Sequence, residues 1–306
     1  MNTERNTERA SPRYSAIELW SPADILDAMV EGQFAAVAAV RAALGALEMA
    51  ALGIGSRLKD GGRLVYAGAG TSGRLAIQDG AELLPTFGWP ADRLVLLLAG
   101  GDDALLRAVE GAEDDADFAA ALVGRHRLEA RDVLIAVAAS GTTPFTAAAL
   151  REARRRGALT IAIANNGDTP LLAEAELPVL LDTGAEPIAG STRMKAGTAQ
   201  RVALTLLSSL VMIRLGRVYR GTMVEMQAVN SKLAHRSEQI LIHLPGCGRE
   251  AARAALGRAQ GDLKTAVLLL EGCEPAEASA ILDRAGGSLH VAQELARARR
   301  PQKKPT

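Results

Sequence analysis

YAGAGTSGRLAIQDGAELLPTF, residues 66–87, leaves an apolar run, crosses three glycines and enters a segment with helical spacing. Gly68, Gly70 and Gly73 satisfy G-x-G-x-x-G, a turn by which a strand hands over to a helix beside a bound phosphate. Asp79 and Glu82 follow on the helix expected over 72–83, which Pro85 is expected to end. Two alternatives arise: a dinucleotide loop, or a smaller phosphate presented to a catalytic carboxylate.

Outward from this stretch the pattern repeats. RLVYAG (63–68), RLVLLLAG (93–100), DVLIAVAAS (132–140), LTIAIAN (159–165) and LPVLLD (177–182) are short apolar runs ending in small or polar residues. Helical segments separate them, notably 72–83, 103–127 and 144–156. Near-continuous apolar strands alternating with helices predict an α/β fold in three layers, a five-stranded parallel sheet flanked by helices. Two Ala/Leu-rich helices are expected over 23–58, a long apolar helix over 193–215 and a polar one over 224–242. Short amphipathic helices with Gly/Pro breaks over 246–298 predict a small C-terminal helical module. The domain boundaries read as an arm at 1–20, the main domain at 21–243, the module at 244–298 and a basic tail at 299–306. The tandem repeat NTERNTER at 2–9 reads as a disordered, charged tail.

Composition narrows the function. Lys+Arg and Asp+Glu both count 35, and aromatic residues make up 3%, so neither nucleic acid nor a membrane surface is an expected partner. No run is expected to approach the ~18 apolar residues of a membrane span, and the polar N-terminus does not read as a signal peptide. Cys247 and Cys273 lack CxxC spacing, and the four histidines form no ligand cluster, so no metal and no cofactor is expected, in a reducing cytoplasm.

A dinucleotide would need an acidic residue ~20 positions beyond the glycines to hold the ribose. Asp102 arrives too late for that, after the unusual insert LLPTFGWP, which disfavours the reading. The hydroxyls serve a phosphate better. Gly70, Thr71 and Ser72 lie at a strand-to-helix turn, and Ser140, Gly141 and Thr143 repeat the chemistry after the third strand. For either loop alone ordinary N-capping is an equal reading; together they favour one phosphate. Glu82 stands among the apolar Ala81, Leu83 and Leu84, where partial desolvation would raise its pKa and suit a general acid. Glu110 and Glu113 sit in AVEGAEDDAD, otherwise a solvated acidic run. Two carboxylates with separated pKa values would suit acid–base chemistry on a sugar.

GAGTSGRL, D-x-x-E-x-x-P-T-F-G, VEGAED, A-A-S-G-x-T-P and S-x-R-M-K-A-G-T-A-Q, in this order, resemble the N-acetylmuramic acid 6-phosphate etherases, a family built on the sugar isomerase (SIS) fold. The match runs from about residue 20 to 298 and includes Asn230, Lys232, Leu233 and Arg236. The resemblance implies an SIS-type domain with a UBA-like C-terminal module, and a carbon–oxygen lyase that splits the D-lactyl ether of N-acetylmuramate 6-phosphate in cell-wall amino sugar recycling. It puts the proton donor on Glu82 and the second catalytic glutamate on Glu113. It carries substrate and phosphate contacts to Gly70, Thr71, Ser72, Ser140, Gly141, Thr143, Ser191 and Lys195. Departures are local: Leu83-Leu84 after the acid, Thr142 where a basic residue is common, and Thr192 for a serine. A homodimer is expected from the same resemblance and from the apolar helix at 198–215. A sugar-phosphate isomerase or a non-catalytic sugar-phosphate sensor on the same fold is the alternative. Both glutamates favour the etherase, because a pure binder needs neither.

Overall fold

Runs of Val, Ile, Leu and Ala become strands when helices cover both their faces, since every side chain then finds an apolar neighbour. The computed structural model describes residues 5–225, 231–244 and 246–299. Helices α1 (Pro22–Ala42) and α2 (Leu44–Lys59) precede β1 (Leu64–Gly68), α3 (Gly70–Ala81), α4 (Leu83–Phe87) and β2 (Leu94–Leu98). Then come α5 (Asp103–Leu106), α6 (Ala116–Arg125), β3 (Val133–Val137), α7 (Pro144–Arg155), β4 (Leu159–Ala164), α8 (Pro170–Glu174), β5 (Leu177–Leu180) and α9 (Lys195–Arg214). The remainder is a hairpin of β6 (Val218–Tyr219) and β7 (Thr222–Met223), followed by α10 (Ser231–His243), α11 (Arg249–Arg258), α12 (Leu263–Leu270), α13 (Pro275–Arg284) and α14 (Leu289–Arg299).

The sheet is parallel, in the order β2-β1-β3-β4-β5. Leu64 stands opposite Leu94 on one side and Val133 on the other. β1, β3 and β4 are buried along their whole length, which explains their unbroken apolar reading. The chain runs outward from β1 to β2 and returns to β3 on the far side of β1. The switch point therefore lies between β1 and β3, where open α/β sheets bind ligands beyond the carboxyl ends of the strands.

Two compact units result. The first contains the described residues up to Ala81 together with Ala91–Ser209. Its core joins Val65, Leu134 and Ala136 of the sheet to Phe145 and Leu150 of α7. The buried Asp132 fastens the sheet's entry edge. It accepts from the Arg63 backbone N–H (2.9 Å), from the Arg63 guanidinium (2.6 Å) and from the Glu129 N–H (3.0 Å). The second unit contains Glu82–Pro90 with the described residues from Leu210 on. Its core gathers Tyr219, Leu241, Val267, Leu268 and Ile281.

Four expectations are corrected. The helix expected over 103–127 is broken: Gly111 takes φ +71°, and α5 and α6 flank an irregular stretch with a single 3-10 turn at Ala112–Asp114. Pro85 does not end a helix but sits in the first turn of α4, where its missing N–H costs nothing. The break falls at Glu82 instead, because proline clashes with the carbonyl four residues earlier, here Ala81. α9 is long and apolar enough by length and composition to cross a membrane, contrary to expectation. Ala199, Ala203, Leu204 and Leu207 are nonetheless at most 1% exposed, as in a core helix. The described part of the NTERNTER stretch is not a disordered tail: Thr7 is completely buried. Asn230 and the residues from 300 on lie outside the described residues, as do the side chains of Lys232 and Leu233. Arg236 is exposed on α10.

Candidate active site

The glycines of the opening stretch let a helix end approach a strand end closely. A β-carbon on Gly73 would stand 2.7 Å from the carbonyl carbon of Gly68, and one on Gly68 would stand 2.8 Å from Gly73 Cα. Gly70 turns the chain at φ +54°. Thr71 and Ser72 are thereby delivered to the first turn of α3, just beyond the carboxyl end of β1. After β3, Gly141 takes φ +69° with its α-carbon pressed against Thr169: a β-carbon there would lie 2.4 Å from Thr169 Oγ1. This tight turn presents Ser140, Thr142 and Thr143. The Ser140 hydroxyl accepts from the Thr142 N–H (3.2 Å) and shares a 3.3 Å hydrogen bond with the Thr143 hydroxyl. Thr143 precedes α7 without capping it through its side chain, so its hydroxyl is not spent on the helix end.

The two loops line one cavity of about 470 Å³, within the ~300–1,000 Å³ common for small-molecule sites. Gly70, Thr71, Ser72, Ser140 and Thr143 all contribute to its wall, whereas Gly141 shapes the turn without lining it. Glu113 joins them, exposed on the irregular stretch that replaced the expected helix, with Asp114 beside it. The broken helix places two residues of the acidic run, Glu113 and Asp114, on the cavity shared by the two hydroxyl-bearing loops. Thr142 and Thr192 also face the cavity. Ser191 and Lys195 do not line it.

Lys195 is 5% exposed at the start of α9, and its Nζ donates to the Thr183 carbonyl at 2.8 Å. Glu186, 1% exposed, accepts from the Lys195 and Ala196 N–H groups at 3.0 and 2.9 Å, satisfying the first donors of α9. Burial pushes the Glu186 carboxyl up, and its two backbone hydrogen bonds and Lys195 pull against that. Burial pushes the Lys195 ammonium down, opposed by the Glu186 charge. Glu186 was missed in the sequence; its signal was an acid nine residues ahead of an apolar helix that has no Ser, Thr or Asp at its start. Asp79 is likewise interior, accepting from the Tyr66 hydroxyl (2.9 Å) and the Ser208 hydroxyl (3.2 Å), which ties β1, α3 and α9 together.

Glu82 belongs to the second unit, at the N-terminus of α4, and it is exposed. The expectation of a partly desolvated side chain is corrected: of its apolar neighbours only Leu83 turns inward, at 1% exposure. The segment after it is fastened by a residue the sequence did not single out. Arg217 donates to the Phe87 and Gly88 carbonyls at 2.8 and 3.0 Å, pairs with Glu225 at 2.8 Å and lies over the Trp89 ring. Among the described residues, no three His, Cys, Asp or Glu side chains are grouped to hold a metal ion.

Two family matches agree with this architecture. Residues 49–154 match the glucokinase regulatory protein N-terminal SIS domain, and residues 116–210 match the SIS domain. A phosphoheptose isomerase from Francisella tularensis has 21% identity and a TM-score of 0.48, covering 63% of this chain and 100% of its own. The N-acetylmuramic acid 6-phosphate etherase of Deinococcus radiodurans is 48% identical over 271 residues, 89% of each chain. That of Symbiobacterium thermophilum is 49% identical over 217 residues, 71% of this chain and 72% of its own. With a parallel SIS-type sheet and relatives this similar over most of its length, the chain belongs to the N-acetylmuramic acid 6-phosphate etherase family.

Proposed function

We propose that the protein cleaves the D-lactyl ether of N-acetylmuramic acid 6-phosphate, giving N-acetylglucosamine 6-phosphate and D-lactate. The observation that carries this reading, in a chain of this family, is the joining of two hydroxyl-bearing loops and Glu113 on one cavity. The loops offer an oxyanion N–H groups, hydroxyls and the positive ends of two helices, which suits a 6-phosphate. Ether oxygen is a poor leaving group, so direct displacement at C3 is slow. In the open-chain sugar, C2–H lies beside the C1 aldehyde and is acidic enough for a carboxylate base. Loss of that proton and of the C3 lactyl oxygen, itself protonated by an acid, leaves an enal and D-lactate. Water then adds across the C2–C3 double bond, returning a hydroxyl to C3 and a proton to C2. Elimination followed by hydration makes the enzyme a carbon–oxygen lyase. We assign Glu82 as the proton donor and Glu113 as the second catalytic group, each worth ~10²–10⁴-fold in rate.

A homodimer fits the surface of α1, where Leu26, Val30, Phe34 and Val37 form an exposed apolar stripe, Phe34 at 72% exposure. We place the reaction in the cytoplasm, where a charged sugar phosphate is retained, as a step in recycling cell-wall amino sugars. The test is incubation with the muramate phosphate and an assay for D-lactate. An isomerase on the same fold would leave the C3 substituent in place and release none. In D₂O the product sugar should carry deuterium at C2, and in ¹⁸O-water the label should enter the C3 hydroxyl. Label in the lactate hydroxyl would mean cleavage on the lactyl side and would end the elimination scheme.

A further inference from the structure

The arm ahead of the first helices is latched onto the phosphate loops. The Thr7 N–H donates to Asn166 Oδ1 at 3.3 Å, and Asn166 Nδ2 donates back to Thr7 Oγ1 at 2.9 Å. The same Nδ2 donates to the Ala139 carbonyl at 2.9 Å, one residue before Ser140. The Thr7 carbonyl accepts from the Gly190 N–H at 3.0 Å. Thr7 is 0% exposed and Asn166 3%, so this polar junction is interior, and interior hydrogen bonds define position well. With Thr7 pinned, Arg5 and Glu8 are set on the wall of the cavity that holds Ser72, Ser140 and Glu113.

The charges on that wall are unbalanced. Glu8, Glu113 and Asp114 are acidic, and Arg5 is the one basic side chain among the described lining residues. Among the described residues the Arg5 guanidinium has no hydrogen-bond or ion-pair partner. A sugar phosphate that also carries a lactyl carboxylate brings further negative charge to a site already rich in it. Hydroxyls and backbone N–H groups supply dipoles but no countercharge, whereas a guanidinium supplies both charge and a two-pronged donor.

We propose that Arg5 is an oxyanion-binding residue of the substrate site, carried there by the buried Thr7–Asn166 latch. The inference rests on the sugar-phosphate reading above and adds a cation to it. Two oxyanions are available, the 6-phosphate and the lactyl carboxylate, and kinetics separate them. In the full-length protein, Arg5→Gln should raise KM for N-acetylmuramic acid 6-phosphate about 10- to 150-fold, the range of one charge-assisted hydrogen bond, while kcat changes little. Arg5→Lys should recover part of the loss. If Ki for N-acetylglucosamine 6-phosphate rises in step with KM, the partner is the phosphate; if Ki is unchanged, it is the carboxylate. Protection against thermal unfolding by inorganic phosphate, lost in Arg5→Gln, would also support the pairing and needs no turnover. An Arg5→Gln enzyme with wild-type KM and undiminished phosphate protection overturns the proposal. Should the wild type release no lactate, the functional reading fails by itself, and phosphate protection alone then decides on Arg5.

Discussion

Gly73→Ala tests whether close packing of the glycine loop positions Thr71 and Ser72 on the cavity wall. The new methyl would lie 2.5 Å from Leu98 Cδ1 and 2.7 Å from both the carbonyl carbon and oxygen of Gly68. Carbon atoms pack at about 3.5–4.0 Å, so roughly 1 Å must be found. Leu98 can rotate, but the Gly68 backbone is held in the sheet between β2 and β3. The start of α3 must therefore withdraw, carrying Thr71 and Ser72 with it. Overpacking of this kind costs about 1–3 kcal/mol, which corresponds to a Tm lower by ~2–12 °C for a unit of this size. A shift of about 1 Å in the groups that hold a substrate can remove 10²-fold in rate, so kcat/KM should fall further than stability suggests. Gly70→Ala is the control. Nothing lies within 4 Å of its added methyl, and its φ of +54° makes the strain conformational, about 1–2 kcal/mol. Lactate release and thermal unfolding, measured on both variants, give the comparison. Gly73→Ala with wild-type Tm and kcat/KM, or with less kinetic damage than Gly70→Ala, would refute the packing argument.

Ser140→Ala and Thr143→Val should each weaken binding of the phosphorylated sugar by about 1.5–3 kcal/mol, seen as a higher KM at unchanged Tm. Wild-type kinetics in both would reduce the second loop to a helix start. Burial works to raise the Asp132 pKa, but the hydrogen bonds from Arg63 and Glu129 outweigh it and hold the carboxyl below its ordinary value. Its contribution to stability is therefore complete above the ordinary carboxylate range and is lost as pH falls through the lowered folded-state pKa. Asp132→Asn should lower Tm near pH 7, with a deficit that shrinks on acidification; a pH-independent deficit would assign the effect to packing alone. Phe34→Glu should shift sedimentation toward monomer if the α1 stripe is a subunit interface. A wild type that is fully active as a monomer would remove the homodimer.

The sheet was legible because β1, β3 and β4 are covered on both faces, leaving a run of apolar residues too short for a helix. That two hydroxyl-bearing loops sit at the strand ends was legible for a local reason: glycines and hydroxyls occur together there. What escaped depended on distance along the chain. Thr7 and Asn166 are 159 residues apart, and nothing in a polar repeat announces that one of its threonines is interior. A local break escaped as well: the 103–127 stretch kept a helical composition on both sides of Gly111, whose positive φ interrupts the helix ahead of the acidic run. The β6–β7 hairpin, too short to show alternation, turns on Arg220 and Gly221, both at positive φ as a two-residue turn requires. Lys195 was read from its motif as a substrate contact, whereas its carbonyl partner at Thr183 comes from the loop before α9.

The interior placement of Thr7 bears on how the protein should be handled at the bench. Arg5 and Glu8, which flank it within two residues, stand on the cavity wall. An affinity tag or fusion partner joined just ahead of Arg5 would add its own charges within a few residues of the cavity, and an acidic tag would compete for the Arg5 guanidinium. Kinetic constants from such material would describe the tag as much as the enzyme. Removal of such a tag, followed by remeasurement of KM, separates the two, and protease trimming past Thr7 would take Arg5 from the cavity wall.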